Sequence, residues 1–210
     1  MNVIIIGASG FAKEVADLLM SNSKGISGFL DDNPSLSNKI ILGFPVLGFI
    51  STYSNFVDNN LFLLGVGSTT TRQKLVEKMP NVMWTEAVHS SAYITHDAQI
   101  GIGSTIMAKA IIGPSNYIGK HVIINMVASL GHDCMVGDYT HIAPGVHIGG
   151  NVHIGKRVFA GIGSTIINGT EANPLTIADD VIIGAGAVVT KSITEPGITV
   201  VGIPAKPIKR

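Results

Sequence analysis

His132 and His141 stand in ASLGHDCMVGDYTHIAPG, residues 128 to 145, a stretch otherwise made mostly of small, aliphatic and turn-forming residues. An imidazole titrates near neutrality, so His132 has the chemistry to take a proton from an amine at physiological pH. Asp133 follows it directly. A carboxylate hydrogen-bonded to one ring nitrogen fixes the tautomer and stabilises the imidazolium that forms. The pair is therefore a candidate general base with its orienting acid. Against this stand two plainer readings: His132 as a surface histidine near a backbone corner, and His141 as an outward residue on a strand. Cys134 is the single cysteine. It could carry an acyl group only as a thiolate, nothing beside it lowers its pKa, and small buried filler is the commoner role.

What must hold these side chains is a repeat. From Val88 to Ile166 an apolar or small residue recurs at every sixth position: Val88, Ile94, Ile100, Ile106, Ile112, Ile118, Ile124, Leu130, Val136, Ile142, Ile148, Ile154, Ala160 and Ile166. A period of six is incompatible with an α-helix, whose faces repeat at about 3.6 residues. Each hexad supplies a short strand and a corner, with the aliphatic residue inward and a following glycine expected to let the backbone turn. Three hexads make one triangular coil, and stacked coils bury a continuous aliphatic column. The pattern predicts a left-handed parallel β-helix. It breaks at NGTEANPLT and resumes at Ile177, Ile183 and Val189, which is one hexad plus a five-residue insertion, expected as a loop on the outside of the stack.

In such a stack, residues eighteen apart lie directly above one another. That arithmetic puts His132 between Pro114 and Gly150, His141 between Ile123 and Phe159, His147 between Ser129 and Thr165, and His153 between Met135 and Glu171. No histidine stacks on another, and a zinc site here would need three imidazoles converging from two subunits. No metal is expected.

Residues 1–85 follow a different pattern, and residues 86–210 carry the repeat. NVIIIG reads as a strand buried on both faces. FAKEVADLLM places Phe11, Val15, Leu18 and Leu19 on one helical face. ISGFLDD and NLFLLGVG read as further strands, and TTTRQKLVEKM as a second amphipathic helix with threonines to cap it. This is a Rossmann-like α/β subdomain, the size of one mononucleotide-binding half. Gly7, Ala8, Ser9 and Gly10 form a short phosphate-cradling turn between strand and helix. Asp31 and Asp32 end the second strand, where acids meet a ribose or base edge. Gly67 and Ser68, in GVGST, give a second glycine turn at the same sheet edge. A solvated or purely structural turn is the alternative for each.

The 14 basic and 14 acidic residues cancel, and only 13% of residues are charged. Non-specific nucleic-acid binding, which needs a surplus of Lys and Arg, is thereby disfavoured. So little charge suggests that a partner subunit covers part of the surface. A lone cysteine excludes an intrachain disulfide. MNVIIIGASG lacks the basic region of a secretory signal, and no apolar run reaches the roughly 20 residues of a membrane span. A cytoplasmic protein without membrane partners is expected.

The hexads, closed by VIIGAGAVVTKSITEPGITVVGIPAKPI, resemble the hexapeptide-repeat acyltransferases. With MNVIIIGASGFAKEVADLL ahead of them, the whole chain resembles the nucleotide-sugar N-acetyltransferases of the sialic-acid O-acetyltransferase type. Those enzymes acetylate aminosugars linked to UDP, dTDP or GDP, such as 4-amino-4,6-dideoxy sugars, for bacterial glycans. The resemblance implies a homotrimer, acetyl-CoA as co-substrate in the groove between neighbouring β-helices, and the nucleotide-sugar in the N-terminal domain. It assigns His132 as base and Asp133 as its partner, although the family pair is most often His–Glu. It also places His141 beside the thioester, Asn125 near the acceptor, and the amide of Gly150 on the tetrahedral oxyanion. Coenzyme A would run past Ile162, Gly163, Gly184 and Ala185, with its phosphates near Lys206 and Lys209. Phe11 stands where the family often has a histidine.

Three readings of function follow: an acetyl-CoA-dependent N-acetyltransferase acting on a nucleotide-linked aminosugar by direct transfer, an O-acetyltransferase acting on a sugar or serine hydroxyl, and a non-catalytic nucleotide-sugar sensor that uses the β-helix only for assembly.

Overall fold

The structure, a computed structural model, describes residues 1–208; Lys209 lies outside them. The chain divides into two compact units, one running through Ser90 and the other starting at Ser91. That division falls a few residues beyond the change in sequence pattern.

In the first unit the elements are β1 (Asn2–Ile6), α1 (Gly10–Ser21), β2 (Ile26–Leu30), β3 (Ile40–Ile41), β4 (Phe44–Gly48), β5 (Asn60–Leu64) and α2 (Thr69–Lys78). The sheet order is β3-β4-β2-β1-β5. Strand β1 is central and parallel to both β2 and β5. Strands buried on both faces need aliphatic residues at consecutive positions, and Val3, Ile4, Ile5 and Ile6 are all buried. Helix α1 buries Ala12, Val15, Ala16, Leu18 and Leu19. Phe11 was expected on that face but is only half-buried, because it belongs to the first turn, where the helix leaves the GASG segment. Helix α2 is capped by Ser68, whose Oγ accepts from the Thr71 N–H at 3.4 Å, and not by its threonines, which lie inside the helix. The one fully buried residue of α2 is a cation, Arg72.

The second unit is a triangular parallel β-helix. Its first face stacks the strands Tyr93–Ile94, Ile111–Ile112, Ser129–Leu130, His147–Ile148, Thr165–Ile166 and Val188–Val189. The second stacks Gln99–Ile100, Tyr117–Ile118, Met135–Val136, Val152–Ile154 and Leu175–Ile177. The third carries Thr105–Ile106, Ile123–Ile124, His141–Ile142, Phe159–Ala160, Ile182–Ile183 and Thr199–Val201, with Lys206–Pro207 antiparallel at its end. Most of the expected aliphatic column is buried from Ile106 to Val189. Each such side chain stabilises the stack by roughly 2–3 kcal/mol relative to exposure.

A second inward column accompanies it, four residues further along each hexad. Ser104, Ala110, Asn116, Val122, Ala128, Cys134, Thr140, Val146, Val152, Val158 and Ser164 are all buried there. Ser104, Asn116 and Thr140 satisfy backbone groups inside the vertices, whereas the Ser164 hydroxyl has no hydrogen-bond partner among the described residues. Asn116 accepts from the Cys134 N–H at 2.7 Å and donates to the carbonyls of Gly113 and Gly131 at 2.8 and 2.7 Å.

The turns are not made by the glycines that follow the aliphatic residues. Positive φ angles occur two positions later, at Lys109, Ser115, His121, Val127, Asp133, Tyr139, Asn151 and Arg157, and at Gly103, Gly145, Gly163 and Gly186. The preceding glycines allow neighbouring coils to touch. A β-carbon at Gly131 would stand 2.7 Å from the nitrogen of Gly150.

The insertion lies at the vertex between the first and second faces. The coil there has 23 residues instead of 18, so that His153 pairs with Thr176, and Ile154 with Ile177. The expected stacking of His153 on Glu171 is therefore replaced, because the extra residues loop out before the next strand begins.

Candidate functional site

His132 sits on that same vertex, between the first and second faces. The Asp133 backbone is left-handed at φ 56°, and its N–H donates to the carbonyl of Pro114 at 3.0 Å. This conformation brings the carboxylate back onto its neighbour. His132 Nδ1 and Asp133 Oδ2 are 2.7 Å apart, so the shorter acid reaches the ring directly. The His132 side chain is 58% exposed. Its ring leans onto the next coil, over Gly150: a β-carbon there would lie 2.5 Å from Nε2. With Nδ1 held by the carboxylate, Nε2 makes no hydrogen bond to the described residues. Gly150 is buried, and among the described residues its N–H donates to no carbonyl, while its own carbonyl accepts from Gly169 at 3.0 Å. A buried N–H without a partner is uncommon and is a ready donor for an oxyanion.

The residues expected along coenzyme A gather elsewhere. Asn125, Ile162, Gly163, Gly184 and Ala185 lie along the vertex between the third and first faces, and His141 on the adjoining third face. Ile162 is 61% exposed, and a β-carbon at Gly163 would meet nothing. The His141 ring is buried, on the face of its strand opposite the inward Ile142, and meets the Phe159 ring edge-on at 5.3 Å. Asn125 is buried, and its Oδ1 accepts from the Met126 N–H at 2.7 Å. Lys206 lines a cavity of about 410 Å³ at the end of the stack with Val189, Ile193, Val200 and Pro204. One whole side of the triangle, six residues and at most about 20 Å, separates this group from the vertex of His132.

In the first unit the GASG turn is largely engaged within the protein. The N–H of Gly7 donates to the Leu30 carbonyl at 2.8 Å. The N–H of Ala8 donates to Asp31 Oδ2 at 2.7 Å, so Ala8 is not the free phosphate donor expected of it. Asp31 Oδ1 also accepts from Asn33, and Asp32 Oδ1 from Ile50, at 2.8 and 2.9 Å. Ser9 and Gly10 remain exposed at the start of α1, and Ser9 makes no side-chain cap, which leaves first-turn amides for an anion. Behind the second glycine turn, Arg72 donates to the carbonyls of Gly67 and Val66 at 2.6 and 3.4 Å. Burial lowers its pKa to about 9, which still leaves it charged at neutral pH. Sequence reasoning passed over Arg72 because a charged residue in an amphipathic helix reads as part of its solvent-facing side.

Cys134 is buried, and its Sγ donates to the carbonyl of Gly149 at 3.1 Å. Burial raises its pKa, the wrong direction for a nucleophile. Among the described residues no three His, Cys, Asp or Glu side chains converge as metal ligands, and no helix is long and apolar enough to cross a membrane.

Two family models match the chain: the PglD N-terminal domain over residues 2–79 and the bacterial transferase hexapeptide over residues 117–150. GDP-perosamine N-acetyltransferase of Escherichia coli O157:H7 is 32% identical over 98% of this chain and 96% of its own length. Among solved structures, PerB from Caulobacter crescentus in complex with CoA and GDP-perosamine matches with a TM-score of 0.89 and 30% identity, covering 100% of this chain and 98% of that one. WeeI from Acinetobacter baumannii AYE matches with a TM-score of 0.91 and 34% identity, covering 99% of each chain. The acetyltransferase domain of PglB from Neisseria gonorrhoeae FA1090, in complex with acetyl coenzyme A, matches with a TM-score of 0.90 and 31% identity, covering 99% and 98%.

Proposed function

The chain belongs to the nucleotide-aminosugar N-acetyltransferases built on a left-handed parallel β-helix, and from that membership we propose how its residues carry out the transfer. The enzyme moves an acetyl group from acetyl-CoA to the amine of a nucleotide-linked aminosugar. We favour GDP-perosamine as acceptor, because relatives named for it match the chain end to end.

The supporting observation is the His132–Asp133 contact, with Nε2 held over the bare backbone of Gly150. As the sugar amine attacks the thioester carbonyl, Nε2 takes its proton and Asp133 stabilises the resulting imidazolium. The Gly150 N–H donates to the oxyanion of the tetrahedral intermediate. Collapse breaks the carbon–sulfur bond, and the thiolate recovers the proton from the ring. Acetyl-CoA supplies the activated acyl group, and Cys134 takes no part.

Since the base and the residues assigned to coenzyme A occupy different vertices, a working site needs two copies of the chain. We therefore propose a homotrimer, with His132 of one copy facing the Ile162–Gly163 vertex of the next. The exposed apolar residues Tyr93, Ile111, Tyr117 and Met135 on the first and second faces suit such packing. The first unit would hold the nucleotide at Ser9 and Gly10. Both co-substrates are cytoplasmic metabolites, and we place the enzyme there, in bacterial glycan assembly.

The test is to incubate the protein with acetyl-CoA and a panel of GDP-, UDP- and dTDP-linked aminosugars, following CoA release and product mass. Release with hydroxyl acceptors alone would reject N-acetylation, and release with none would reject the enzyme.

A further inference from the structure

The five-residue insertion lies on the vertex of the catalytic pair. Pro114, His132, Gly150 and Asn168 follow one another there at intervals of eighteen, each about 5 Å above the last. Asn168 rests on the backbone of Gly149, where a β-carbon would stand 2.5 Å from the Asn168 nitrogen. The loop that begins at Asn168 is pinned at both ends to the coil carrying the proposed oxyanion donor. The Gly169 N–H donates to the carbonyl of Gly150, and the Leu175 N–H to that of Asn151, each at 3.0 Å. Between these anchors the chain closes a tight hairpin. Thr170 and Asn173 exchange backbone hydrogen bonds at 3.0 and 3.1 Å, and Thr170 Oγ1 also accepts from the Asn173 N–H. Glu171 and Ala172 form its exposed tip. The loop is thus a braced projection beside the reacting atoms.

We propose that this hairpin is the acyl-donor wall of the site and that Asn168 is a specificity-determining residue for the acyl group. The inference rests on the acetyl-transfer reading above. His132 leans toward the C-terminal coils, so Nε2, and with it the bond being formed, stands at the level of Gly150. The carbonyl that the Gly150 N–H polarises belongs to the donor. The next level up therefore meets an atom bonded to that carbonyl carbon, either the acyl chain or the sulfur. Asn168 occupies that level. Its side chain is exposed and donates only to the neighbouring Gly169 carbonyl, at 3.2 Å, and its Oδ1 accepts no hydrogen bond from the described residues. A short acyl chain fits beneath the hairpin, and a longer one meets it.

The experiment compares wild-type enzyme with Asn168→Ala and with a deletion of residues 169–173 that restores an eighteen-residue coil. Michaelis constants are measured separately for acetyl-CoA and for the aminosugar, and kcat/KM is measured for propionyl-CoA against acetyl-CoA. Asn168→Ala is expected to raise KM for acetyl-CoA about fivefold and to shift the donor ratio toward propionyl-CoA by about tenfold, the scale of one methylene in a fitted pocket. KM for the aminosugar should stay within about twofold, because uniform binding of the acceptor is untouched. The deletion should relax donor choice further; if it fails to fold, the exposed Asn168→Ala variant decides alone. A folded Asn168→Ala enzyme with unchanged donor constants, or with the rise in KM confined to the aminosugar, overturns the donor-wall role while leaving the acetyltransferase reading intact. Absence of turnover in the wild type rejects that reading itself, and the proposal with it.

Discussion

The imidazole of His132 lies on Gly150 so closely that a single methyl group at residue 150 would stand 2.5 Å from Nε2. The proposed base and oxyanion donor, eighteen residues apart in sequence, therefore have one shared geometry. Gly150→Ala is expected to push the ring off its position and lower kcat by about two orders of magnitude, the scale seen when one oxyanion donor is lost. The coil itself should hold, because Gly150 has no positive φ to relieve. Steady-state kinetics with a thermal melt checks both halves of this statement.

Removing the proposed base should give a different signature. His132→Ala should reduce turnover by roughly 10²- to 10⁴-fold with the assembly intact, since the side chain faces solvent and fills neither inward column. Asp133→Ala should cost less, and the double variant little more than His132→Ala alone, because the acid acts through the ring. Full additivity of the two losses would mean that Asp133 contributes by another route.

The two-vertex arrangement predicts complementation. His132→Ala and Ile162→Trp are each expected to be nearly inactive, the second because a bulkier ring would stand on the exposed vertex assigned to coenzyme A. Mixing and reassembling the two should restore a fraction of wild-type activity, since some interfaces then pair an intact base with an intact coenzyme A vertex. Sedimentation should give three copies. A monomer with full activity would contradict the shared site.

Further along the prism, Arg157 binds Asp180 through two hydrogen bonds of 2.7 Å, and this contact holds the Asp180 carboxyl below its ordinary value of 3.8. A folded-state pKa that is depressed contributes stability above the unfolded value and loses it as pH falls through the folded one. Arg157→Leu should therefore destabilise the protein at neutral pH, by no more than about 1 kcal/mol for so exposed a pair. The difference from wild type should disappear as acid unfolding is followed below the ordinary carboxylate value. Urea titrations at neutral and strongly acidic pH measure it.

Arg72 carries the corresponding prediction for the first unit. Replacing it with methionine leaves the carbonyls of Gly67 and Val66 without their charged donor, at a cost of roughly 2–4 kcal/mol. The second glycine turn should loosen, raising KM for the nucleotide-sugar with little change in KM for acetyl-CoA. An equal rise in both constants would point to general unfolding.

The repeat was legible because one aliphatic residue per hexad is a strong signal at a period no helix shares. Its companion column was not, because Ser104, Asn116, Cys134 and Thr140 are small or polar residues that read as loop, and only the closed vertex shows them satisfied by backbone groups. The glycines misled for a related reason. Close approach of neighbouring coils and positive φ both select glycine, and sequence does not say which constraint operates. The arithmetic of eighteens placed Gly150 above His132 correctly, and it failed for His153 only because the insertion lay between. That the insertion adjoins the proposed catalytic pair could be seen only once each residue had been assigned to a vertex. In the first unit, Asp31 looked like a ligand for ribose, and its first duty proved to be holding the Ala8 amide.

The long coil returns to register within a single strand: Gly149 and Gly155 still bond to the coil above in the ordinary way on either side of the extra residues. Spliced segments at a corner are thus mechanically silent for the scaffold while they lie next to the chemistry. A lineage carrying this architecture has a place to revise its choice of ligand without renegotiating the stack, and the same corner is where an engineer should graft.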